Sequence, residues 1–227
     1  MLQQCLDNAF RQAGVPRPTV TVVTRTVVDP DDPAFSAPSK PIGNFYDQAE
    51  ARRRMDADGW VMREDAGRGW RRVVPSPEPR EILERPAIEA LLATGAVVVA
   101  AGGGGVPVVR RPDGSLAGVE AVVDKDLASA LLAGELAAGV LLILTGVEHV
   151  AVDFGRPTQR DLHELPAAEL AGHLRRGQFA PGSMLPKVQA ALRFLAAGGR
   201  RVVITTPELS EKALAGEIGT QLTSSSP

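Results

Sequence analysis

The chain of 227 residues has one cysteine, no long uninterrupted apolar run and almost no net charge. Because Cys5 has no second cysteine to pair with, a disulfide framework within the chain is excluded, and a metal-thiolate cluster is not expected. This composition favours the reducing cytoplasm. The runs "AVVVAAGGGGVPVV" and "GVLLILTGV" are too short and too rich in glycine to span a bilayer, and the N-terminus has no signal-peptide pattern. We therefore expect neither a membrane location nor export.

The charge balance gives no global reason to bind nucleic acid. The 25 basic residues nearly match the 27 acidic ones, and the formal charge is -2. No broad basic surface is predicted for a phosphate backbone or for anionic lipids, so any anion site must be local. With 44% apolar residues, the chain can fill the core of one large α/β domain and still form a small additional lobe.

Strand and helix patterns alternate along most of the chain. The opening "MLQQCLDNAFRQAG" has its apolar residues at helical spacing, and residues 19–28 have the β-branched content of a strand. After residue 80, the apolar runs "AVVVAAGGGG", "GVEAVVDKD", "GVLLILTGV" and "RRVVITT" are separated by helical patterns. Continuous apolar strands between helices predict an α/β fold in which a mostly parallel sheet is covered by helices.

A segment rich in arginine interrupts this alternation and contains both tryptophans and the only tyrosine. The prolines and aspartates of "DPDDPAFSAPSKPIG" argue against regular structure ahead of it. Within the segment we predict a short helix at residues 47–57 and two strands, "WVMRED" and "WRRVV", joined by the turn "AGRG". The predicted organisation is a small protruding lobe at residues 40–79, inserted into a core formed by residues 1–39 and 80–227.

A run of four glycines, Gly102 to Gly105, follows one of the predicted strands. In open α/β sheets the functional groups gather where strands end. Without side chains, the run would let backbone N–H groups approach a phosphate closely, although a flexible turn would have the same composition. It is not a Walker loop, since no "GK[ST]" follows, and it does not have the "GxGxxG" pattern of a dinucleotide-binding loop.

Two lysines occupy positions that call for an explanation. Lys125 lies between Asp124 and Asp126, and a helix cap accounts for one of these carboxylates but not for the lysine. A lysine held by carboxylates stays protonated and oriented, as contact with a phosphoryl oxygen requires. Lys187 lies at the start of a predicted helix, where the helix dipole disfavours a cation. A nearby anion would explain it, and so would plain solvent exposure.

The remaining candidate groups are expected to be structural. His149, His163 and His173 do not have the spacing of metal ligands. Residues 52–54, all arginine, are expected on a solvated helix face. No Ser/His/Asp or Cys/His arrangement indicates nucleophilic catalysis. We predict no metal site held by side chains alone.

Taken together, these segments resemble the carbamate kinases of the amino-acid kinase superfamily. The stretches that carry the resemblance follow the family's order and are "KPIG", "GWVMREDAGRGWRRVVPSPEP", "GGGGVPV", "EAVVDKDLASALLA", "LLILTGVEHVAVDFGRPTQR" and "GQFAPGSMLPKVQAA". The resemblance implies a three-layer α/β/α sandwich with a mostly parallel central sheet and a small protruding lobe. It also implies that an N-terminal section of the family, with the first strands of the sheet, is missing ahead of Met1.

The function implied by the resemblance is reversible phosphoryl transfer between ATP and carbamate, giving ADP and carbamoyl phosphate, with Mg²⁺. In arginine catabolism, by the arginine deiminase pathway, this reaction generates ATP, and the family is typically a homodimer. Phosphoryl transfer depends on positioning and on cations more than on covalent help. Two alternatives stay open: an inactive remnant that binds nucleotide or partner subunits, and a related kinase with a different carboxylate acceptor.

The resemblance also implies roles for individual residues. Lys125 and Lys187 would hold the transferred phosphoryl group, and Asp126 would orient them. Lys40 would reach the carbamoyl phosphate. The nucleotide is expected at the segments 144–154 and 182–187 and at the glycine run. The residues expected to bind it are Gly102, Gly103, Gly104, Gly105, Asp124, Thr145, Val147, Val152, Gly182, Ser183 and Met184.

Overall fold

The computed structural model describes residues 1–65 and 67–224. Its contacts divide the chain into two compact units, Met1–Lys125 and Asp126–Pro227. Within the described residues, no helix has both the length and the apolar character needed to cross a membrane. The two units are described in turn.

The first unit combines three small sheets with helices. Its helices are α1 (Leu2–Gln12), α2 (Gln48–Asp58) and α3 (Arg85–Ala93). Its strands are β1 (Thr19–Thr21), β2 (Arg25–Val28), β3 (Lys40–Tyr46), β4 (Met62–Glu64), β5 (Trp70–Val74), β6 (Pro79–Ile82), β7 (Val97–Val99), β8 (Val106–Arg110) and β9 (Leu116–Gly118). Strand β1 pairs with β7 in parallel. The second sheet has the order β6-β2-β8-β9, with β2 and β8 parallel, and the third is the antiparallel sheet β3-β5-β4.

Aromatic and arginine side chains hold the sheet β3-β5-β4 to α2. The guanidinium groups of Arg54 and Arg72 lie 5.2 and 4.8 Å from the ring centroid of Trp60, and Tyr46 meets that ring edge-on at 6.2 Å. The helix and the two strands predicted within this segment are present. Strand β3 was not predicted, because the prolines and aspartates of residues 29–43, where it begins, suggested irregular structure. The lobe boundaries proposed at residues 40 and 79 remain a prediction.

The prediction of one strand across residues 19–28 is wrong, because the chain changes sheets in the middle of this stretch. The N–H of Val22 still donates to the carbonyl of Val99, next to β7, at 2.9 Å. Two residues later, the carbonyl of Thr24 accepts from the N–H of Val106, at the start of β8, at 2.8 Å. The β-branched run therefore forms two short strands, β1 and β2, with different partners.

The strand predicted ahead of Lys125 is also wrong. Strand β9 ends at Gly118, and helix α4 begins at Lys125. Between them, the N–H of Val119 donates to the carbonyl of Pro107 at 3.3 Å and that of Val122 to the carbonyl of Pro75 at 2.9 Å, which are isolated bonds rather than a strand ladder. Asp124 and Lys125 therefore follow an irregular connection, although the helix expected after them is present.

The second unit is built around one four-stranded sheet. Its helices are α4 (Lys125–Glu135), whose first residue ends the first unit, α5 (Ala167–Arg175), α6 (Met184–Ala196) and α7 (Ser210–Leu214). Its strands are β10 (Val140–Leu144), β11 (Val150–Val152), β12 (Arg160–Leu162), β13 (Glu164–Pro166), β14 (Arg201–Thr205) and β15 (Thr220–Thr223). The sheet order is β10-β14-β15-β13, in which β10/β14 and β13/β15 are parallel and β14/β15 is antiparallel. Strands β11 and β12 form a separate antiparallel pair.

Helix α6 supplies much of the core of the second unit. Val188 and Phe194 of this helix are fully buried, as are Val202 and Ile204 of β14, and all belong to one apolar cluster. The ring of Phe194 occupies the space where a Cβ at position 199 would lie, so only glycine fits at Gly199. This packing fixes the start of α6, and with it the position of Lys187.

Candidate functional site

In the first unit, Lys40 is held by a buried carboxylate. The ammonium group of Lys40, at the start of β3, donates to Asp124. The Asp124 side chain is 5% exposed and that of Lys40 is 23% exposed. Asp124 lies directly ahead of α4, where the helix dipole stabilises a carboxylate. The sequence predicted a function for each residue, and the structure adds that they form an ion pair.

The glycine run divides into a structural half and an open half. A Cβ at Gly104 would overlap the carbonyl of Val123, and one at Gly105 would overlap the hydroxyl of Thr26. That hydroxyl donates to the Gly104 carbonyl at 2.8 Å inside the protein. By contrast, Gly102 and Gly103 are exposed and have nothing within 4 Å of an added Cβ. Packing thus explains why glycine is needed at positions 104 and 105, whereas Gly102 and Gly103 are open to a ligand.

In the second unit, Lys187 donates to Asp126 at 2.9 Å. The side chain of Lys187 is 11% exposed and that of the buried Asp126 is 10% exposed. Asp126 lies in the first turn of α4, where its charge interacts favourably with the helix dipole. The anion that the sequence analysis expected near Lys187, in the first turn of α6, is therefore the carboxylate of Asp126. Lys125, which precedes Asp126, is exposed.

A cavity of about 300 Å³ opens at the N-terminus of α6 in the second unit. Its lining residues are Thr145, Gly146, Val147, His149, Ala151, Phe154, Gln178, Phe179, Ala180, Ser183, Met184 and Lys187. Backbone N–H groups at a helix N-terminus, together with a lysine, favour an anion. The segments 144–154 and 182–187, which the sequence analysis assigned to the nucleotide, both contribute to this cavity.

Most of the residues predicted in these two segments line the cavity. Thr145 and Val147 contribute from the loop after β10, and Ser183 and Met184 from the start of α6. Val152 instead belongs to the buried core. Gly182, in the turn before α6, is not among the lining residues. Their predicted roles in nucleotide binding stay predictions.

The cavity also has an apolar wall that sequence reasoning did not single out. The ring of Phe154 is 71% exposed, whereas Phe179 is buried. The N–H of Asp153 donates to the side-chain oxygen of Gln178 at 2.7 Å, which anchors the loop that carries Phe154. An exposed ring beside buried apolar surface suits the flat base of a nucleotide. Phe154 lay within a predicted segment, but no pattern indicated Gln178.

Two histidines that were expected to be structural form a pair beside this cavity. The Nδ1 atom of His163 lies 3.1 Å from the Nε2 atom of His149. Their rings meet edge-on, with centroids 4.4 Å apart. Among the described residues, no group of three or more His, Cys, Asp or Glu side chains is arranged to hold a metal ion. The pair is separated by 14 residues in sequence, so spacing gave no signal for it.

Comparison with known proteins adds evidence of a different kind. Residues 3–206 match the amino acid kinase family. The chain is 48% identical over 222 residues to the carbamate kinase of Thermococcus kodakarensis, which covers 98% of this chain and 70% of that protein. It is 49% identical over 223 residues to the carbamate kinase-like protein YahI of Escherichia coli, with the same coverage of 98% and 70%.

Solved structures give the same result. The structure is similar to that of a carbamate kinase from Giardia lamblia bound to AMP-PNP, with a TM-score of 0.86 and 43% identity, covering 97% of this chain and 70% of that one. A citrate-bound form of the same protein gives a TM-score of 0.90. These similarities confirm the α/β class and the resemblance on which the site residues were predicted.

Proposed function

Because the chain belongs to the amino acid kinase family, we propose that it transfers a phosphoryl group between ATP and carbamate, with ADP and carbamoyl phosphate as the other pair of substrates. The observation that carries the proposal is that two of the lysines assigned to the site are held in place. The ammonium groups of Lys40 and Lys187 are each bound by a buried aspartate. A phosphotransferase needs cations in fixed positions, since most of its rate enhancement comes from positioning and charge stabilisation.

The nucleotide is proposed to bind in the cavity at the N-terminus of α6. The lysine and the helix N-terminus at its polar end suit phosphate groups, and the exposed ring of Phe154 suits a base. A relative at 43% identity has been solved with AMP-PNP. Mg²⁺ would arrive as part of the nucleotide complex, since this ion is commonly bound through substrate phosphates and water rather than by a cage of side chains.

The proposed chemistry is a direct transfer without a covalent intermediate on the protein. In the direction of ATP formation, a terminal phosphate oxygen of ADP forms a bond to the phosphorus of carbamoyl phosphate, and the bond from that phosphorus to the carbamate oxygen breaks. Carbamate leaves as an anion and needs no proton, so cations are more useful here than a general acid. We assign Lys125 and Lys187 to the equatorial oxygens of the moving group, Asp126 to the orientation of Lys187, and Lys40 to the carbamoyl phosphate.

We extend the proposal to the setting of the reaction. A single cysteine fits a cytoplasmic protein, and we propose a homodimer that generates ATP in arginine catabolism. Light scattering on the purified chain would test the dimer, which predicts a mass twice the 23.9 kDa of one chain.

The decisive experiment measures ATP formed from ADP and carbamoyl phosphate in a coupled assay. We expect turnover that Lys125→Ala abolishes. The exposed Lys212 of α7 serves as a matched control, and Lys212→Ala should retain activity. Calorimetry with ADP is run in parallel. Binding of ADP without turnover would indicate a nucleotide-binding remnant, and transfer to another carboxylate in an acceptor screen would indicate a different kinase.

A further inference from the structure

We propose that His149 and His163 form a proton-accepting wall of the nucleotide cavity and that ADP binding takes up a proton at this pair. The inference rests on the proposed function, because it assumes that the cavity at the start of α6 holds the nucleotide. It goes further in assigning two residues to the site and in coupling nucleotide affinity to pH.

The histidine pair lies between the nucleotide cavity and a second cavity, since His149 lines both. His149 and Lys187 both line the first cavity, and the side chain of His149 is 9% exposed. It also lines a second cavity of about 300 Å³, which His163 and Gln221 share. Protons can therefore reach the pair from the second cavity, hereafter the outer cavity, while His149 also lines the nucleotide cavity.

The backbone holds the two rings in place. Strands β11 and β12 pair antiparallel, with Val150 opposite Leu162, so His149 and His163 follow as the next positions on either side. The N–H of Val150 donates to the buried hydroxyl of Thr220 at 2.8 Å, and that hydroxyl donates to the carbonyl of Leu162 at 2.5 Å. The contact between the rings is thus fixed by the strands that carry them and does not depend on side-chain rotation alone.

The contact between the two ring nitrogens is compatible with one added proton but not with two. A hydrogen bond between the two ring nitrogens requires a donor on one ring and an acceptor on the other. One added proton preserves this arrangement, whereas two protons make both facing nitrogens donors and bring two cations together.

Charged residues line the cavities on both sides of the pair. The Nδ1 atom of His149 lies 3.4 Å from a carboxylate oxygen of Glu148. The other charged residues that line these cavities are Glu148, Glu164 and Glu217 in the outer cavity and Lys187 in the nucleotide cavity. The positive charge of Lys187 is matched by Asp126. The phosphates of ADP add negative charge on the His149 side, so nucleotide and proton should each strengthen the binding of the other.

The test follows the histidines directly by NMR. The chain has three histidines, so the imidazole signals can be assigned with single His→Gln variants. On titration between about pH 5 and 8, where histidine changes charge, saturating ADP should move the transitions of His149 and His163 to higher pH. His173, a buried residue of α5 outside both cavities, is the internal control and should not move.

Calorimetry gives the second readout. ADP is titrated in two buffers of different ionisation enthalpy, which reports the protons taken up on binding. His163→Gln keeps a polar partner for His149 but cannot accept the proton. We expect wild-type affinity to rise at least about fivefold more than that of this variant between about pH 8 and pH 6. His173→Gln should behave like the wild type.

The outcomes separate this inference from the proposed function. If wild-type protein does not bind ADP at any pH, both are wrong. If ADP binds but the signals of His149 and His163 titrate unchanged, and proton uptake equals that of His163→Gln, the histidine coupling is overturned while the nucleotide site stands. Since the NMR arm uses wild-type protein, poor folding of a variant would not leave the question open.

Discussion

Replacing Lys187 by methionine tests the ion pair that this residue forms with Asp126 in the second unit. The Nζ to Oδ2 distance of 2.9 Å and the low exposure of both side chains mean that the variant leaves the carboxylate of Asp126 buried without this cation. Breaking a buried pair by removing one partner costs about 3–5 kcal/mol. We expect a value near the lower end, about 3 kcal/mol, because Asp126 has additional contacts and lies at a helix N-terminus.

The measurement is the free energy of unfolding from urea denaturation, followed by circular dichroism. For a chain of this size, a loss of 1 kcal/mol lowers the melting temperature by about 2–4 °C, so the variant should melt about 6–12 °C below the wild type. Lys212→Met is the matched control. Because Lys212 is exposed on α7, its replacement should change stability by no more than about 0.5 kcal/mol.

A small effect would refute the reasoning. If Lys187→Met lost less than about 1 kcal/mol, the carboxylate of Asp126 could not be desolvated as the geometry implies. The companion variant Asp126→Leu/Lys187→Met supplies an independent check, since replacing both partners with apolar groups of similar size is often neutral. A double variant less stable than Lys187→Met would show that Asp126 acts through its other contacts and not through the lysine.

Two further changes separate structural from functional roles. Gly104→Ala should lower the free energy of unfolding by more than about 2 kcal/mol, because the new Cβ would overlap the carbonyl of Val123. Gly102→Ala should change it by no more than about 0.5 kcal/mol and, if ligand approaches there, raise KM. Equal melting temperatures of the two variants would contradict this expectation. Thr220→Val removes the acceptor of the Val150 N–H and should cost about 2 kcal/mol in urea denaturation, while an unchanged midpoint would show that water replaces the hydroxyl.

Helices could be predicted from the sequence because their signals are local. Helix α2 begins after Asp47, whose side chain accepts from the N–H of Glu50 at 2.8 Å, a cap that a short window reveals. Strand β3 could not be predicted in the same way. Its partner, β5, begins about two dozen residues after β3 ends, beyond α2 and β4, and strand identity depends on such a partner rather than on the segment itself.

The candidate site shows the same division between local and distant information. A lysine between two carboxylates and a lysine in the first turn of a helix are visible as local anomalies, so Lys125 and Lys187 could be singled out. Which acid holds which lysine depends on contacts across 84 residues for Lys40 and 61 for Lys187. No local feature of the sequence indicated the histidine pair, because His149 and His163 come together only when β11 and β12 pair.

The acid, lysine, acid order at the start of α4 has a physical consequence. Asp124 belongs to an ion pair of the first unit and Asp126 to one of the second, with one residue between them in the chain. Both carboxylates lie at the start of α4, where the helix dipole interacts favourably with negative charge. Two positions at the start of α4 therefore each fix one lysine, Asp124 in the first unit and Asp126 in the second.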